Sequence, residues 1–345
     1  MIKVLIVNDS LMVQQALRRI IETDPELELV GIGRDGQEGI YLAYSQNPDV
    51  ILMDIRMPHM DGVQATEKIM RTQPKPILVV TGTMKAHMSQ IYDCLNYGAL
   101  EVLKAPTVVD AKLAGKELLS RIRVAAALKK ELKKTIPIRD GASAGKGGAV
   151  KADFKPLAAK KVVAIGASTG GPNALLEVLR QLPGNLPAGI LLVQHIDPEF
   201  AGGLAEWLSG HCGISVSAAN GGHVLSNGTA CLAAEAKNLV ITSQARLSYQ
   251  SPPPNAIHIP SIDVTLASVA EYYGKAAMGI ILTGMGSDGV QGLKKIRAAG
   301  GVTVAQDEET SLIYGMPRAA KESGAAEHII ALGKIAEKIC EFAPS

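Results

Sequence analysis

Four short stretches of this 345-residue sequence carry side chains in arrangements suited to chemistry. Gly166-Ala167-Ser168-Thr169-Gly170-Gly171 sets a serine in a glycine-rich turn between an apolar run and a helix-like segment starting near Pro172. A hydroxyl at such a turn is accessible, and the N–H groups of a helix start favour negative charge beside it. Gln194-His195 closes a second apolar run, Leu191-Leu192-Val193, with an imidazole that can act as a base toward the serine. Thr283-Gly284-Met285-Gly286-Ser287-Asp288-Gly289 closes a third and supplies a carboxylate that can orient the imidazole. The fourth pairs Asp9, just after Lys3–Val7, with Asp54, just after Val50–Met53. Two carboxylates in one crevice repel unless a cation joins them, and hard oxygen ligands suit Mg²⁺.

Each stretch has a plainer explanation. A glycine-rich turn also serves as a phosphate-binding loop or a simple helix cap, a strand-terminal histidine is often structural, and an isolated Asp caps the next helix. The string G-x-S-x-G matches a nucleophile elbow, but the order Ser168, His195, Asp288 departs from the serine, acid, histidine order of α/β-hydrolases. Gly284–Gly289 and Gly31–Gly36 both fit G-x-G-x-x-G, the first with Glu308 and Glu309 about 20 residues on. Two such hits in one chain show how little the pattern says, and a nicotinamide enzyme is not favoured.

These side chains need elements to hold them. Over the first 105 residues, apolar runs (Lys3–Val7, Leu27–Ile32, Val50–Met53, Ile77–Val80, Leu100–Leu103) alternate with helix-period segments such as Leu11–Glu22 and Gln64–Arg71. That alternation predicts βαβ units and a flavodoxin-like parallel sheet of order 2-1-3-4-5, in which Asp9 and Asp54 end neighbouring strands. A charged helix over Ala111–Lys134 follows, then a small, polar, Gly-rich linker at 140–148. From Lys161 a second βα series predicts a doubly wound α/β domain, with strands at Val162–Gly166, Ile190–Gln194, Ile214–Ala218, Leu239–Thr242, Gly279–Leu282, Val302–Ala305 and His328–Ala331. About 214–250, short strands lack intervening helices, which predicts a small antiparallel appendage. The expected domains are 1–122, a helix and linker at 123–160, and 161–345.

Composition narrows the field. With 35 basic and 33 acidic residues the net charge is +2, and aromatics are 3%, so neither a basic stripe nor a stacking surface for nucleic acid is expected. No run of 18 apolar residues predicts a membrane-spanning helix, and the N-terminal apolar run is too short for a signal sequence. The four cysteines form no C-x-x-C pair, in keeping with reduced thiols and a cytoplasmic protein.

The segment Ile51–Gly62, with Asp54, Met57-Pro58 and Asp61-Gly62, resembles the phosphoacceptor segment of response-regulator receiver domains. Thr81 and Gly98-Ala99-Leu100-Glu101 fit the same family. The resemblance implies phosphorylation at Asp54, with Mg²⁺ held by Asp9, Asp54 and the Arg56 carbonyl, and Thr81 as a switch residue. Two positions differ: Asn8 stands where the family usually has a second acid, and Lys104-Ala105-Pro106 replaces its Lys-Pro, leaving Lys104 one place early as the candidate switch lysine.

Gly166–Gly171, Gln194-His195, Pro260-Ser261-Ile262-Asp263, Gly279–Gly289, Ala305–Glu308 and Tyr314–Arg318 together resemble the catalytic domain of chemotaxis protein-glutamate methylesterases. That resemblance implies Ser168 as nucleophile, His195 as general base, Asp288 as its orienter and the Met285 N–H as an oxyanion donor. It implies hydrolysis of glutamyl methyl esters and deamidation of glutamines on methyl-accepting chemotaxis receptors. It also implies no cofactor for the ester step, a chemotaxis histidine kinase as phosphodonor, and a receiver that covers the crevice until phosphorylated. Here Ile259 replaces an Arg of the family's His-Arg-Pro-Ser, and Ala233-Ala234-Glu235 its Ala-Pro-Gly turn. A non-catalytic, phospho-regulated binding module of a chemosensory array is the alternative from another class.

Overall fold

The computed structural model describes residues 1–82, 88–106, 111–130, 159–242 and 246–344. The chain divides into two compact units, Met1–Ala142 and Ser143–Ser345. The Gly-rich stretch expected at 140–148 lies outside the described residues.

The first unit is built on five parallel strands, β1 (Ile2–Val7), β2 (Leu27–Gly33), β3 (Val50–Met53), β4 (Ile77–Thr81) and β5 (Glu101–Lys104), in the order β2-β1-β3-β4-β5. Val4–Val7 and Val50–Met53 are buried along their length, as strands covered on both faces must be. Between them run α1 (Leu11–Glu22), α2 (Gly36–Gln46), α3 (Gly62–Thr72) and α4 (Met88–Asn96), followed by α5 (Ala111–Ala127). Leu17, Ile20 and Ile21 form the buried stripe of α1 while Arg18 and Glu22 pair on its exposed side. The Asp35 carboxylate accepts from the Gln37 and Glu38 N–H groups to start α2, and Asp61 does the same for Gln64 in α3. The helix expected to reach Lys134 ends at Ala127 and tightens into a 3₁₀ turn over Leu128–Lys130.

In the second unit, β6 (Val162–Ala167), β7 (Gly189–Gln194), β8 (Ser215–Ala218), β9 (Thr229–Leu232), β12 (Ala277–Ile281), β13 (Val302–Gln306) and β14 (His328–Ile330) form one parallel sheet, ordered β14-β13-β12-β6-β7-β9-β8. Its helices are α6 (Gly171–Leu179), α7 (Pro198–His211), α8 (Ile262–Tyr273), α9 (Val290–Ala298), α10 (Met316–Glu322) and α11 (Leu332–Phe342). Among the described strands of this unit, β10 (Asn238–Ile241) and β11 (Leu247–Gln250) form the antiparallel pair, continued by a bridge between Val224 and Arg246. The antiparallel appendage expected over 214–250 is therefore smaller than its pattern suggests: β8 and β9 extend the main sheet in parallel with β7. No strand is expected from sequence at Thr229–Leu232: the link from β8 to β9 carries no helix, yet it returns far enough to bring Ala230 and Leu232 to full burial beside β7.

The core lies between this sheet and α8 and α9, where Leu191, Val193, Ile281, Leu266, Leu293 and Ile296 are buried. Each such side chain contributes roughly 1.5–3 kcal/mol by leaving water. The chain runs from β6 to β7 on one side and returns to β12 on the other, so a crevice opens beyond the carboxyl ends of these three strands.

The tightest backbone approach in the first unit is at Gly62, where an added Cβ would fall 2.0 Å from the Asp54 carbonyl oxygen. Gly62→Ala must push α3 away from the end of β3. Its expected cost is about 3 kcal/mol, read as an earlier unfolding transition of the full chain in urea, with little change if that approach is unimportant.

Candidate active site

Three strand ends are tied together by main-chain bonds. Ala167 pairs with Gln194 in register, and the His195 N–H donates to the Ala167 carbonyl at 3.0 Å. On the other side the Ser168 N–H donates to the Thr283 carbonyl at 3.0 Å. Ser168 and His195 thus leave adjacent strands side by side. The Ser168 carbonyl accepts from the Gly171 N–H at 2.7 Å and from Gln194 Nε2 at 2.9 Å, which fixes the turn into α6. The accessible serine expected at this turn is instead 2% exposed, because the backbone at Gly284 packs directly against it.

His195 Nε2 lies 2.9 Å from Asp288 Oδ2, with both side chains buried. An ionised carboxylate only accepts, so the proton of neutral His195 sits on Nε2 and the lone pair on Nδ1. Asp288 also accepts from Ser261 Oγ at 3.1 Å and from the N–H groups of Ile262, Asp263 and Gly289 at 2.8, 3.0 and 3.0 Å. Burial by itself would raise this carboxyl; the bonds from His195 and from the Asp263 and Ile262 N–H groups outweigh it and hold Asp288 below the usual carboxylate range.

The loop carrying Met285 lies directly over the serine. A Cβ on Gly284 would meet Ser168 Cβ at 2.6 Å and Met316 Sδ at 2.5 Å, so only glycine fits there. The Gly284 carbonyl accepts from the Met316 and Gly315 N–H groups at 2.8 and 3.2 Å. Across a trans peptide the Met285 N–H points the opposite way, and it has no acceptor among the described residues. A serine, an imidazole–carboxylate pair and an uncommitted N–H at one sheet edge are the parts that acyl transfer requires.

Residues 163–339 match the CheB methylesterase family, and residues 4–123 match the response regulator receiver domain family. The chain is 41% identical over 341 residues to a protein-glutamate methylesterase/protein-glutamine glutaminase of Cupriavidus pinatubonensis, covering 98% of this chain and 97% of that one. The chain belongs to the CheB methylesterase family. A second relative of that description, from Pseudomonas fluorescens, is 39% identical with 99% of each chain covered. The catalytic domain of Thermotoga maritima CheB methylesterase superposes with a TM-score of 0.51 at 35% identity, covering 52% of this chain and 97% of that one.

Beside the residues singled out from sequence, this CheB-family chain uses several others. Thr283 donates its hydroxyl to the Thr169 carbonyl at 3.0 Å, accepts from the Ile313 N–H at 2.9 Å, and receives Gln306 Oε1 on its own N–H at 2.8 Å. Ser261 caps α8 and bonds Asp288 at once. Its place in Pro260-Ser261-Ile262-Asp263 signals a helix cap, but nothing local signals the contact with Asp288. His258 stacks on His195, and the flanking Ile257 and Ile259 are 88% and 40% exposed.

At the receiver crevice, the Asp54 N–H donates to the Val7 carbonyl at 2.8 Å, holding the ends of β1 and β3 together. Burial pushes the Asp54 carboxyl up to about 6, opposed by bonds from the Ile55 N–H, the Thr81 hydroxyl and the Arg56 N–H, while the Asp9 charge raises it further. Asn8 Nδ2 donates to Asp54 Oδ2 at 2.9 Å, so an amide fills the place of a second acid. Lys104 is exposed at the end of β5, and Ala105 is buried. Ala105 lies just past the strand, where its N–H donates to the Thr81 carbonyl at 3.0 Å.

Asp288→Asn keeps the shape but removes the charge and an acceptor, and it should lower kcat by about 10⁴-fold. Because the folded carboxyl lies below its unfolded value near 3.9, its stabilisation is complete above that pH and is lost on acidification. The stability gap between wild type and Asp288→Asn, measured by urea unfolding, should be flat from about pH 5 upward and close below about pH 4.

Proposed function

We propose that this chain hydrolyses γ-glutamyl methyl esters on methyl-accepting chemotaxis receptors and deamidates glutamines at the same positions. The observation that carries the reading is the His195–Asp288 pair set beside Ser168 beneath the Gly284–Met285 peptide. The names of relatives about 41% identical over nearly the whole chain support the substrate class.

His195 Nδ1 takes the Ser168 proton as Oγ attacks the ester carbonyl. The new oxyanion is met by the Met285 N–H, a donor worth about 3 kcal/mol in comparable sites. Asp288 stays ionised and stabilises the imidazolium. His195 then returns the proton to the departing methoxide, and methanol leaves an acyl-serine. A water molecule, deprotonated by the same Nδ1, attacks that ester, releasing the glutamate carboxyl and restoring Ser168. With a glutamine substrate the leaving group is ammonia. None of these steps calls on a cofactor.

The receiver, taken as 1–122 and joined through 123–160 to a catalytic domain at 161–345, would regulate this reaction in the cytoplasm. A chemotaxis histidine kinase would phosphorylate Asp54. Asp9, Asp54 and the Arg56 carbonyl offer Mg²⁺ an all-oxygen donor set, and the mutual repulsion of the two carboxylates supports the fit. Bound there, Mg²⁺ would offset the charge of the incoming phosphoryl oxygens. Thr81 supports the role through its bond to Asp54, and Lys104, one place early relative to the family's lysine, is the candidate partner of the phosphoryl group by resemblance.

Methanol release from methylated receptor membranes should fall at least 10³-fold in Ser168→Ala, and undiminished release would falsify the assignment. Incubation with a small phosphodonor and Mg²⁺ should add one phosphoryl group, about 80 Da by intact mass, and Asp54→Ala should abolish it. An adduct that survives Asp54→Ala would place the phosphoryl group elsewhere.

A further inference from the structure

The hydrogen bond from Nε2 to Asp288 fixes one corner of the His195 ring and leaves its tilt about that bond open. A base that must carry a proton between Ser168 and two leaving groups needs its plane fixed as well, because small angular errors are costly in proton transfer. The second constraint is at hand. The His258 ring lies parallel to that of His195, with centroids 4.6 Å apart and planes within 9°.

We infer that His258 is a positioning residue for this esterase: its ring is a platform that holds the plane of His195 while Asp288 holds its edge. The inference rests on the proposed triad chemistry.

The local chain is built to deliver that ring. The Ser261 N–H donates to Asn238 Oδ1 at 2.8 Å, and Pro260 is buried, so the segment is anchored directly after His258. Upstream, the Ala256 N–H closes a turn onto the Pro253 carbonyl at 3.0 Å. Ile257 and Ile259 face solvent to different degrees, whereas His258 between them turns onto the imidazole. The same four residues, 258–261, thus bring both the platform and the Ser261 hydroxyl that bonds Asp288. Stacked aromatic rings at this separation hold each other more firmly than their area alone accounts for. A flat ring also shields one face of His195 from water without competing for Nδ1.

The test compares full-length wild type, His258→Leu and His258→Phe in the methanol-release assay. His258→Leu should lower kcat by about tenfold or more with KM within about twofold, whereas His258→Phe, which restores a flat ring, should stay within about threefold of wild type. The His195 ring-proton resonances should move in His258→Leu through loss of the stacked ring. Wild-type kcat in His258→Leu, an equal loss in both variants, or a change confined to KM would each overturn the platform. An inactive wild type with His195 resonances that still respond to His258→Leu would instead count against the esterase reading and leave the stack standing.

Discussion

The carboxylate of Asp288 is the point on which the catalytic unit turns. It accepts five hydrogen bonds, from His195, Ser261 Oγ and the N–H groups of Ile262, Asp263 and Gly289. Two of those donors are the first N–H groups of α8, so the charge sits where a helix start most favours an anion. A buried carboxylate is expensive unless it is satisfied in this way. The donors that lower its energy also fix its direction, and the direction decides which nitrogen of His195 is left bare. One interaction therefore sets the orientation and tautomer of His195, the proposed base.

The arrangement is reciprocal. Asp263, in the first turn of α8, accepts from the Gly292 N–H of α9 at 2.8 Å, while Asp288, just before α9, accepts from the start of α8. Each helix is thus tied to an acid belonging to the other. Burial and the nearby Asp288 charge raise the Asp263 carboxyl above its usual range, the opposite of the shift at Asp288. The difference follows from the kind of donors: among the described residues Asp263 has backbone N–H donors and no cation or imidazole partner, whereas Asp288 has His195. Packing of Leu266, Leu293 and Ile296 beneath the two helices holds this pair of caps against the sheet, so the hydrophobic core positions the polar site directly.

Much of this was legible in the residues. The apolar runs at Val50–Met53 and Ile190–Gln194 are strands because nothing else buries four to six consecutive apolar residues so cleanly, and Ser168, His195 and Asp288 each follow such a run. What could not be read is what depends on distant pairing. β9, absent from the expected strands, escapes a sequence reading because a short parallel return without a helix leaves no periodic trace. The stack of His258 on His195 and the bond from Ser261 to Asp288 join segments far apart in sequence, and no local pattern announces them.

On the proposed mechanism, Asp288 selects the Nε2–H tautomer of His195 and leaves Nδ1 free for Ser168. Nitrogen-15 NMR of the His195 ring in the full-length chain at neutral pH reads this directly. A proton on Nε2 and an unprotonated Nδ1 are expected, with the Nε2 proton shifted by its bond to the carboxylate. A proton on Nδ1 with a bare Nε2 would contradict it, because the base would then face the wrong way.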